Sequence, residues 1–178
     1  MSKKIDLDSF IPKKDDKIFI DTNIWLYLFC PIGDYKKDIV NRYNDIFLKI
    51  LKSKCAIYVT SLTLSEFFNT YSRIEFEYKK KQTGQKNLKY KREFRNTTDF
   101  NVMVEEIIEI INNKILKYST RINDEFNRID LNNILISDDS FDFNDKYFAE
   151  LCEANNIKVL TNDKDFLKIS NKIEVITS

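Results

Sequence analysis

The chain has 178 residues, enough for one domain with a hydrophobic core and marginal for two. Hydrophobic residues make up 43% and charged residues 32%, as in ordinary globular proteins, and the net charge of +1 gives the whole chain no preference for a polyanion. Histidine is absent and only two glycines occur, which excludes Ser-His-Asp and Cys-His catalysis, histidine-bound zinc, and the dinucleotide and P-loop motifs.

No segment of the sequence resembles a targeting or membrane signal. The N-terminus, MSKKIDLDSF, lacks the apolar core of a signal peptide, and the longest apolar run, residues 24–30, is too short to span a bilayer. We therefore expect a cytoplasmic protein without a membrane partner. The three cysteines are far apart in sequence and are predicted to be free thiols.

The predicted elements alternate between strands and helices. In chain order, a buried strand at 17–21 precedes a short helix at 22–29, and an amphipathic helix at 36–53 precedes a strand at 55–60. The remaining predictions are a helix from 61 to about 80, a helix at about 98–118, a further turn at 121–129, a strand at 133–137, a helix at 143–155, a strand at 157–161, a short helix at 163–169 and a strand at 172–177. This alternation predicts an α/β fold with a mostly parallel sheet of four to five strands, in a single domain over 1–178.

Basic residues are concentrated in one part of the chain. Residues 78–95 contain eight Lys or Arg and one acid, Glu93, so the rest of the chain carries a net negative charge. We call residues 76–97 the basic arm. Its cations could follow a nucleic-acid backbone while Tyr78, Tyr90 and Phe94 stack on bases; equally, it could be a solvated hairpin tip without a partner.

Acidic residues follow nearly every predicted strand. In open parallel sheets, functional sites lie beyond the carboxyl ends of the strands. Asp21 ends the first strand, and Glu66 lies in the helix after the second. Asp138, Asp139, Asp142 and Asp145 follow the third, while Thr161 and Asp163 end the fourth.

Clustered carboxylates without histidine favour hard divalent cations. Two carboxylates about 4 Å apart repel each other by roughly 4 kcal/mol at an effective dielectric constant near 20, so the group must take up protons or bind a cation. Oxygen donors suit Mg²⁺ or Mn²⁺, which promote phosphodiester hydrolysis. Taken alone, each acid also has an ordinary explanation: Asp21 and Asp163 could be helix caps, and Glu66 and Asp145 could be solvated surface residues.

Four short motifs together resemble a known family. FIDTNIWLY, TSLTLSEFF, FNDKYFAELC and VLTNDKDF occur in the order and spacing of PIN-domain nucleases, and are most similar to VapC-type toxin ribonucleases. The resemblance covers about 17–75 and 130–178, and it implies a three-layer α/β/α sandwich with a helical insertion at about 76–130. VapC-type toxins are usually shorter, and the excess falls within this insertion.

The resemblance implies roles for individual residues. Asp21, Glu66, Asp145 and Asp163 match the four catalytic, metal-binding acids, and Asp142 could be an added ligand or the true third acid. Asn23 and Thr161 match the polar residues that support the acids and the substrate phosphate. Candidate substrate-binding cations lie in the basic arm: Lys79, Lys80, Lys81, Lys89, Lys91 and Arg92.

The implied function is a Mg²⁺- or Mn²⁺-dependent endoribonuclease, the toxin of a type II toxin–antitoxin pair, with RNA as substrate, a cognate antitoxin and a possible homodimer. Three alternatives remain. The chain could be a PIN-domain RNA-processing nuclease that is not a toxin, or an inactive RNA-binding module. It could also be an aspartate-based phosphatase or phosphoacceptor domain, although such phosphatases usually have a second Asp where this chain has Asn23.

Overall fold

In the described part of the chain, six strands form one sheet, and every pairing between them is parallel. The computed structural model describes residues 3–136, 141–169 and 172–178. The strands are β1 (Lys3–Asp6), β2 (Lys17–Ile20), β3 (Ala56–Val59), β4 (Thr120–Arg121), β5 (Lys158–Leu160) and β6 (Glu174–Thr177). They lie in the order β1-β6-β5-β2-β3-β4, so β2 is flanked by β5 and β3.

Among the described residues, eight α-helices connect or follow the strands. They are α1 (Thr22–Phe29), α2 (Lys37–Ser53), α3 (Ser61–Thr83), α4 (Thr98–Ile110), α5 (Leu116–Tyr118), α6 (Leu131–Ile134), α7 (Phe143–Asn155) and α8 (Phe166–Ile169). A π-helical segment, Ile111–Ile115, joins α4 to α5, and a 3₁₀ turn, Phe94–Asn96, precedes α4. None of the helices in the described part of the chain is both long and apolar enough to cross a membrane.

Local sequence signals explain where the longer helices begin and end. The Thr60 hydroxyl accepts a hydrogen bond from the backbone N–H of Thr63 and so caps α3, and Thr97 caps α4 in the same way. Helix α3 ends at Gly84, whose φ of +67° is a left-handed conformation that glycine adopts without a steric penalty. These caps fix both ends of α3 and the start of α4.

The sheet separates two hydrophobic cores. Ile18 and Ile20 of β2 pack with α1, α2, α3 and α4, whereas Phe19, between them in sequence, packs with α7 and α8. Because successive side chains of a strand point to opposite faces, the two cores lie on opposite sides of the sheet. The phenyl rings of Phe19 and Phe148 are 4.8 Å apart and anchor α7. The predicted three-layer α/β/α arrangement is thereby confirmed.

The sheet is larger than predicted, and one predicted strand is wrong. The first two residues of the expected strand at 133–137 belong instead to α6, because the Asp130 carboxylate accepts a hydrogen bond from Asn132 N and starts a helical turn. Ser137 lies outside the described residues. The two additional strands, β1 and β4, are short edge strands with mostly exposed side chains, so they carry no apolar pattern. Within the segment 121–129, where a further turn is predicted, the structure has a hydrogen-bonded turn at 126–128, closed by bonds from Arg128 N and Ile129 N to Glu125 O.

Candidate metal and nuclease site

Asp21 lies at the carboxyl end of β2 and begins α1. Only 6% of the residue is exposed. Its Oδ1 accepts a 2.7 Å hydrogen bond from the backbone N–H of Thr22, and its Oδ2 accepts bonds of 2.6 Å from both Asn23 Nδ2 and Thr161 Oγ1. Asp21 does cap α1, as predicted, but a helix-capping side chain does not have to be buried. Asp21 is a carboxylate fixed in place on both oxygens.

Thr161 connects Asp21 to Asp163. The Thr161 hydroxyl accepts hydrogen bonds from the backbone N–H of Asp163 (2.9 Å) and from Asn23 Nδ2 (3.1 Å). The Asp163 carboxylate in turn accepts a 2.8 Å bond from the backbone N–H of Asp165. Because β5 lies beside β2, the turn that follows Leu160 brings Asp163 to the edge where Asp21 lies. The structure thus places Asn23 and Thr161 between the first and fourth predicted acids.

Glu66 reaches the same edge from α3. The Thr22 hydroxyl donates a 2.8 Å hydrogen bond to Glu66 Oε2 and so joins the start of α1 to the second turn of α3. Since α3 starts directly after β3, which pairs with β2, Glu66 lies on the side of Asp21 opposite Asp163. Sequence reasoning did not identify Thr22 as a supporting residue, although it stands between two predicted site residues.

Asp145 completes the group from a helix rather than from a strand end. It lies in the first turn of α7, which packs against β2, and it is half-buried. Its carboxyl group interacts electrostatically with Asp21, Asp163, Asp142 and Glu66. Asp142 is the exposed N-terminal cap residue of α7 and makes no capping hydrogen bond with its side chain. The geometry therefore favours Asp145 over Asp142 as the third acid. Asp138 and Asp139 lie outside the described residues.

Burial and mutual repulsion raise the pKa of two acids in this group. We call Asp21, Glu66, Asp145 and Asp163 the acid cluster. Burial raises the pKa of Asp21 to about 7, with further increases from the charges of Glu66 and Asp163, while the Thr161 hydrogen bond opposes the shift. Burial also raises the pKa of Asp145 to about 7, and the charges of Asp21 and Asp163 add to it. Asp21 and Asp145 are thus costly to ionise in the absence of a neighbouring positive charge.

The donor chemistry of the acid cluster suits a hard divalent cation. All four side chains offer carboxylate oxygens, and a bound cation would relieve the repulsion that raises the pKa values of Asp21 and Asp145. Within the described ranges, no three acidic or cysteine side chains are already close enough to form a metal-binding group. Binding would therefore require side-chain rotation, and Glu66 and Asp163 are each held by a hydrogen bond that rotation can break.

A second set of polar residues supports the loop that carries Asp163, and sequence reasoning missed it. The Tyr43 hydroxyl, on α2, donates a 2.8 Å hydrogen bond to the carbonyl oxygen of Thr161. Asn162 Nδ2 donates to the Tyr27 hydroxyl at 3.1 Å, and Ser178 Oγ donates to Asn162 Oδ1 at 3.2 Å. The sequence contained part of the signal for this set. Tyr43 lies on the buried face of an amphipathic helix, where its hydroxyl needs a hydrogen-bond partner, but the sequence does not identify that partner.

The buried aromatic residues of the basic arm belong to the larger hydrophobic core, on the same side of the sheet as Ile18 and Ile20. Tyr90 and Phe94 are 8% and 2% exposed and pack against Phe76 and Phe100. The idea that Tyr90 and Phe94 stack on bases is therefore wrong, because their rings are inside the arm. Tyr78 is 42% exposed.

The predicted cations of the arm differ in their surroundings. Lys79 forms an ion pair with Asp99 at 3.0 Å, and Lys80 pairs with Glu77 at 3.4 Å. The other four are exposed and have no ion pair among the described residues: Lys81, Lys89, Lys91 and Arg92. The free positive charge of the arm is thus at its tip, beyond Lys80.

The chain matches a known protein family over most of its length. A sequence model of the PIN domain matches residues 18–172. No curated protein is similar enough to this chain to count as a match. Among solved structures, the chain is similar to the crystal structure of PAE2754 from Pyrobaculum aerophilum, with 13% identity and a TM-score of 0.42 over 90% of this chain and 84% of that chain. That likeness is too weak to carry an argument.

The family assignment therefore rests on the PIN-domain match, which includes all four members of the acid cluster. PIN domains are generally nucleases, hydrolases that use divalent metal ions. The matched range includes the basic arm and the long helices on either side of it. The chain belongs to the PIN domain family.

Proposed function

We propose that this protein is a Mg²⁺- or Mn²⁺-dependent endoribonuclease and that it acts as the toxin of a type II toxin–antitoxin pair. The observation that carries the nuclease proposal is the hydrogen-bond network around Asp21: Thr161 donates to Asp21 and accepts from the backbone N–H of Asp163, and the adjacent Thr22 donates to Glu66. Four acids from β2, α3, α7 and the β5 turn share one edge of the sheet, and that edge is where a parallel sheet presents its site.

The acid cluster would hold one or two divalent ions, which when bound stabilise charge on phosphate oxygens and activate water for hydrolysis. Asp21 provides the most strongly fixed carboxylate, because hydrogen bonds from Thr22 N, Asn23 and Thr161 restrict both of its oxygens. Asp145 approaches from the opposite layer of the sandwich. Asp142, the N-terminal cap residue of α7, is one helical turn before Asp145 and is proposed as an additional outer ligand.

Asn23 and Thr161 position the acids, and we propose that they also orient the substrate phosphate. Asn23 Oδ1 accepts a 3.3 Å hydrogen bond from Asn162 N, so both ends of its amide are occupied. Contact with a phosphate would require one of these bonds to open. The first effect of removing Asn23 is therefore expected on the position of Asp21.

The basic arm is proposed to bind RNA through phosphates rather than bases. Its buried aromatic rings fix the shape of the arm, and the exposed Lys81, Lys89, Lys91 and Arg92 present positive charge on an otherwise acidic chain. Phosphate contacts of this kind supply affinity without sequence preference. A cognate antitoxin and a homodimer are further proposals that follow from the resemblance to VapC-type toxins.

The direct test is cleavage of total cellular RNA with and without Mg²⁺, followed by mapping of the 5′ ends of the products. We expect discrete cuts that require the metal and that vanish in Asp21→Asn and Asp145→Asn variants. Asp15→Asn is a matched control, since Asp15 is an exposed acid near the opposite end of β2. Metal-dependent cleavage that survives in Asp21→Asn would refute the site. Toxicity on expression that a neighbouring small open reading frame relieves would test the toxin role separately.

A further inference from the structure

Two arginines contact the ring of Tyr90, and neither belongs to the cations that the sequence predicts as substrate-binding. The Cζ atom of Arg73, on α3, lies 4.1 Å from the centroid of the ring, and the Cζ atom of Arg95 lies 5.3 Å from it. Tyr90 is only 8% exposed, and its ring packs against those of Phe76 and Phe94 at 5.2 Å and 6.0 Å. The ring is thus a fixed platform for both guanidinium groups. We call Arg73 and Arg95 the arginine pair.

The arginine pair has no acidic partner in the part of the chain that the structure describes. Both residues are exposed, and neither side chain forms an ion pair or a hydrogen bond with another described residue. Glu77, one turn after Arg73 in α3, pairs instead with Lys80 at 3.4 Å. A cation–π contact uses the flat face of a guanidinium group, whereas its N–H donors point outward in the plane. These donors are therefore available to a ligand from solvent.

The chemistry of the arginine pair suits phosphate groups. A guanidinium group donates two parallel hydrogen bonds to phosphate oxygens, and this planar fork is what distinguishes arginine from lysine as a phosphate ligand. Because both Cζ atoms lie near one ring, they are no farther apart than the sum of their distances from its centroid. Both forks can thus contact one short stretch of a polyanion. Residues 78–95, with eight Lys or Arg and one acid, attract such a polyanion to this part of the protein.

Helix α3 connects the arginine pair to the acid cluster. Arg73 follows Glu66 by seven residues, which is close to two full turns, so the two side chains leave nearly the same face of the helix. Their separation along the helix axis is about 10.5 Å. Stacked nucleotides of one strand follow each other at about 3.4 Å, so this distance corresponds to about three nucleotides. A polynucleotide that lies at Glu66 and follows α3 would reach Arg73.

We propose that the arginine pair is a second phosphate-binding site, which holds a backbone phosphate of RNA about three nucleotides from the phosphate at the acid cluster. The inference rests on the proposed nuclease function and adds to it a fixed spacing between the cleaved bond and an anchoring contact. Tyr90 orders both arginines before the ligand binds. Because less side-chain entropy is then lost on binding, the pair contributes more affinity than two flexible cations at the tip of the arm.

Binding without divalent ions separates the arginine pair from the acid cluster. The probes are a ten-nucleotide RNA and the same ribose-phosphate backbone without bases, each titrated in EDTA. An Arg73→Lys, Arg95→Lys double variant keeps every charge and loses both forks. We expect it to bind both probes about 5- to 100-fold more weakly than the wild type, because each fork loses a hydrogen bond to phosphate.

Two further variants separate the fork from its charge and from the stability of the arm. Replacing the arginine pair with glutamine should also lower the slope of log affinity against log salt, by up to about 0.7 for each lost contact. An Arg42→Lys, Arg128→Lys double variant is the matched control, because these arginines pair with Asp8 and Glu125 and lie outside the arm. Thermal unfolding in EDTA and amide exchange over 84–97 verify that each variant keeps its fold.

Neutral phosphates locate the site on the RNA with the wild-type protein, so this measurement does not depend on the folding of any variant. In an RNA that is cut at one place, each phosphate in turn is replaced by an uncharged methylphosphonate, and kcat/KM is measured with Mg²⁺. We expect two sensitive positions, the cleaved phosphate and one about three nucleotides away. In the lysine double variant the second position should lose most of its effect.

Several results would overturn the proposal. They are wild-type affinity in the lysine double variant, an equal loss in the matched control, no binding of the base-free backbone, and no second sensitive phosphate. Wild-type affinity with a lowered melting temperature would show that the arginine pair only stabilises the arm. A loss in the glutamine variant alone would show that charge binds without the fork. Absence of all cleavage refutes the nuclease proposal, and the titrations in EDTA then still decide whether the arginine pair binds phosphate.

Discussion

The hydroxyl group of Thr161 donates a 2.6 Å hydrogen bond to Oδ2 of Asp21, a residue 140 positions earlier in the chain. The Thr161 hydroxyl oxygen in turn accepts a 2.9 Å bond from the backbone N–H of Asp163. One side chain therefore fixes the first acid relative to the fourth, across the boundary between β2 and β5. The separation of these two carboxylates is set by a neutral residue that itself need not bind metal.

Replacing Thr161 with valine keeps the shape of the side chain and removes this connection. The variant leaves the N–H of Asp163 without its partner, and we expect unfolding to become easier by about 1–3 kcal/mol, as measured by urea titration in EDTA. The Thr161 bond opposes the rise in the pKa of Asp21, so its loss should move the acidic limb of the pH–rate profile to higher pH. Thr161→Ser should restore both properties, and an unshifted profile in Thr161→Val would contradict the positioning role.

The Asp21→Asn variant should lose nuclease activity and gain stability in the absence of metal. A pKa of about 7 against an ordinary value of 3.8 means that the folded protein ionises Asp21 at a cost. About three pKa units correspond to at most about 4 kcal/mol, reduced by whatever the amide loses as a hydrogen-bond acceptor. We expect the metal-free variant to melt at a higher temperature than the wild type at pH 8, and to lose the stabilisation by Mg²⁺ that the wild type shows. A variant that melts lower in EDTA and still responds to Mg²⁺ would contradict this.

The metal-free protein should lose stability as the pH rises. Asp21 and Asp145 have folded-state pKa values of about 7, raised above their ordinary value of 3.8. The folded state therefore retains protons that the unfolded state has released, and the stability falls between about pH 4 and pH 7 and levels off above that range. Urea unfolding in EDTA at pH 5, 6, 7 and 8 measures the slope.

Divalent ions should weaken this pH dependence, because the metal replaces the protons. By the same linkage, the affinity for Mg²⁺ should rise from pH 6 to pH 8. The double variant Asp21→Asn, Asp145→Asn is the control and should show a flat profile. A wild-type stability that rises over this range in EDTA would show that the two carboxyls are not the groups that dominate the titration.

The parts of the site that sequence reasoning could predict are those tied to local signals. Asp21 follows a buried apolar run and precedes a helix, and Thr161 and Asp163 repeat that arrangement. Since parallel strands end at the same edge of a sheet, the sequence is enough to predict that these residues share an edge. The supporting bonds of Thr22 and Tyr43 are different. Each joins residues more than forty positions apart, and no local pattern specifies which distant oxygen a hydroxyl will meet.

The fold was predictable where a strand is buried on both faces. Strands β2, β3 and β5 lie side by side in the sheet and read as apolar runs. Edge strands β1 and β4 are held by one neighbour and expose most of their side chains, so backbone pairing defines them. The segment 133–136 gave the opposite error, since its β-branched residues predicted a strand that the structure does not have. Asp130 caps a helical turn there, and this local signal outweighed the strand preference of those residues.

The basic arm should bind through its unpaired cations. Neutralising Lys81, Lys89, Lys91 and Arg92 to Gln should weaken RNA binding and reduce the slope of log affinity against log salt by up to about 0.7 for each lost single-strand contact. Neutralising Lys79 and Lys80, which already pair with Asp99 and Glu77, should change the slope less. Filter binding across a salt series measures both. If neutralising the ion-paired lysines reduces the slope as much per charge as neutralising the four unpaired cations, the net charge of the arm, and not its unpaired charge, governs the affinity.

The buried aromatic residues of the arm should hold its cations in one arrangement and so raise the affinity for RNA. Phe94 is 2% exposed, and its ring lies 5.4 Å from that of Phe76 and 5.8 Å from that of Phe100. Phe94→Ala opens a cavity at this point, and we expect a loss of about 3–5 kcal/mol in stability, with faster amide exchange concentrated in residues 84–97.

Because a loosened arm must be ordered again when it binds, the Phe94→Ala variant should lose RNA affinity without losing any positive charge or any slope in the salt series. Phe94→Leu retains most of the buried volume and should lie between the variant and the wild type in both stability and affinity. Unchanged affinity in Phe94→Ala, together with rapid exchange over 84–97, would mean that the cations bind independently. The folded shape of the arm would then contribute nothing to RNA binding.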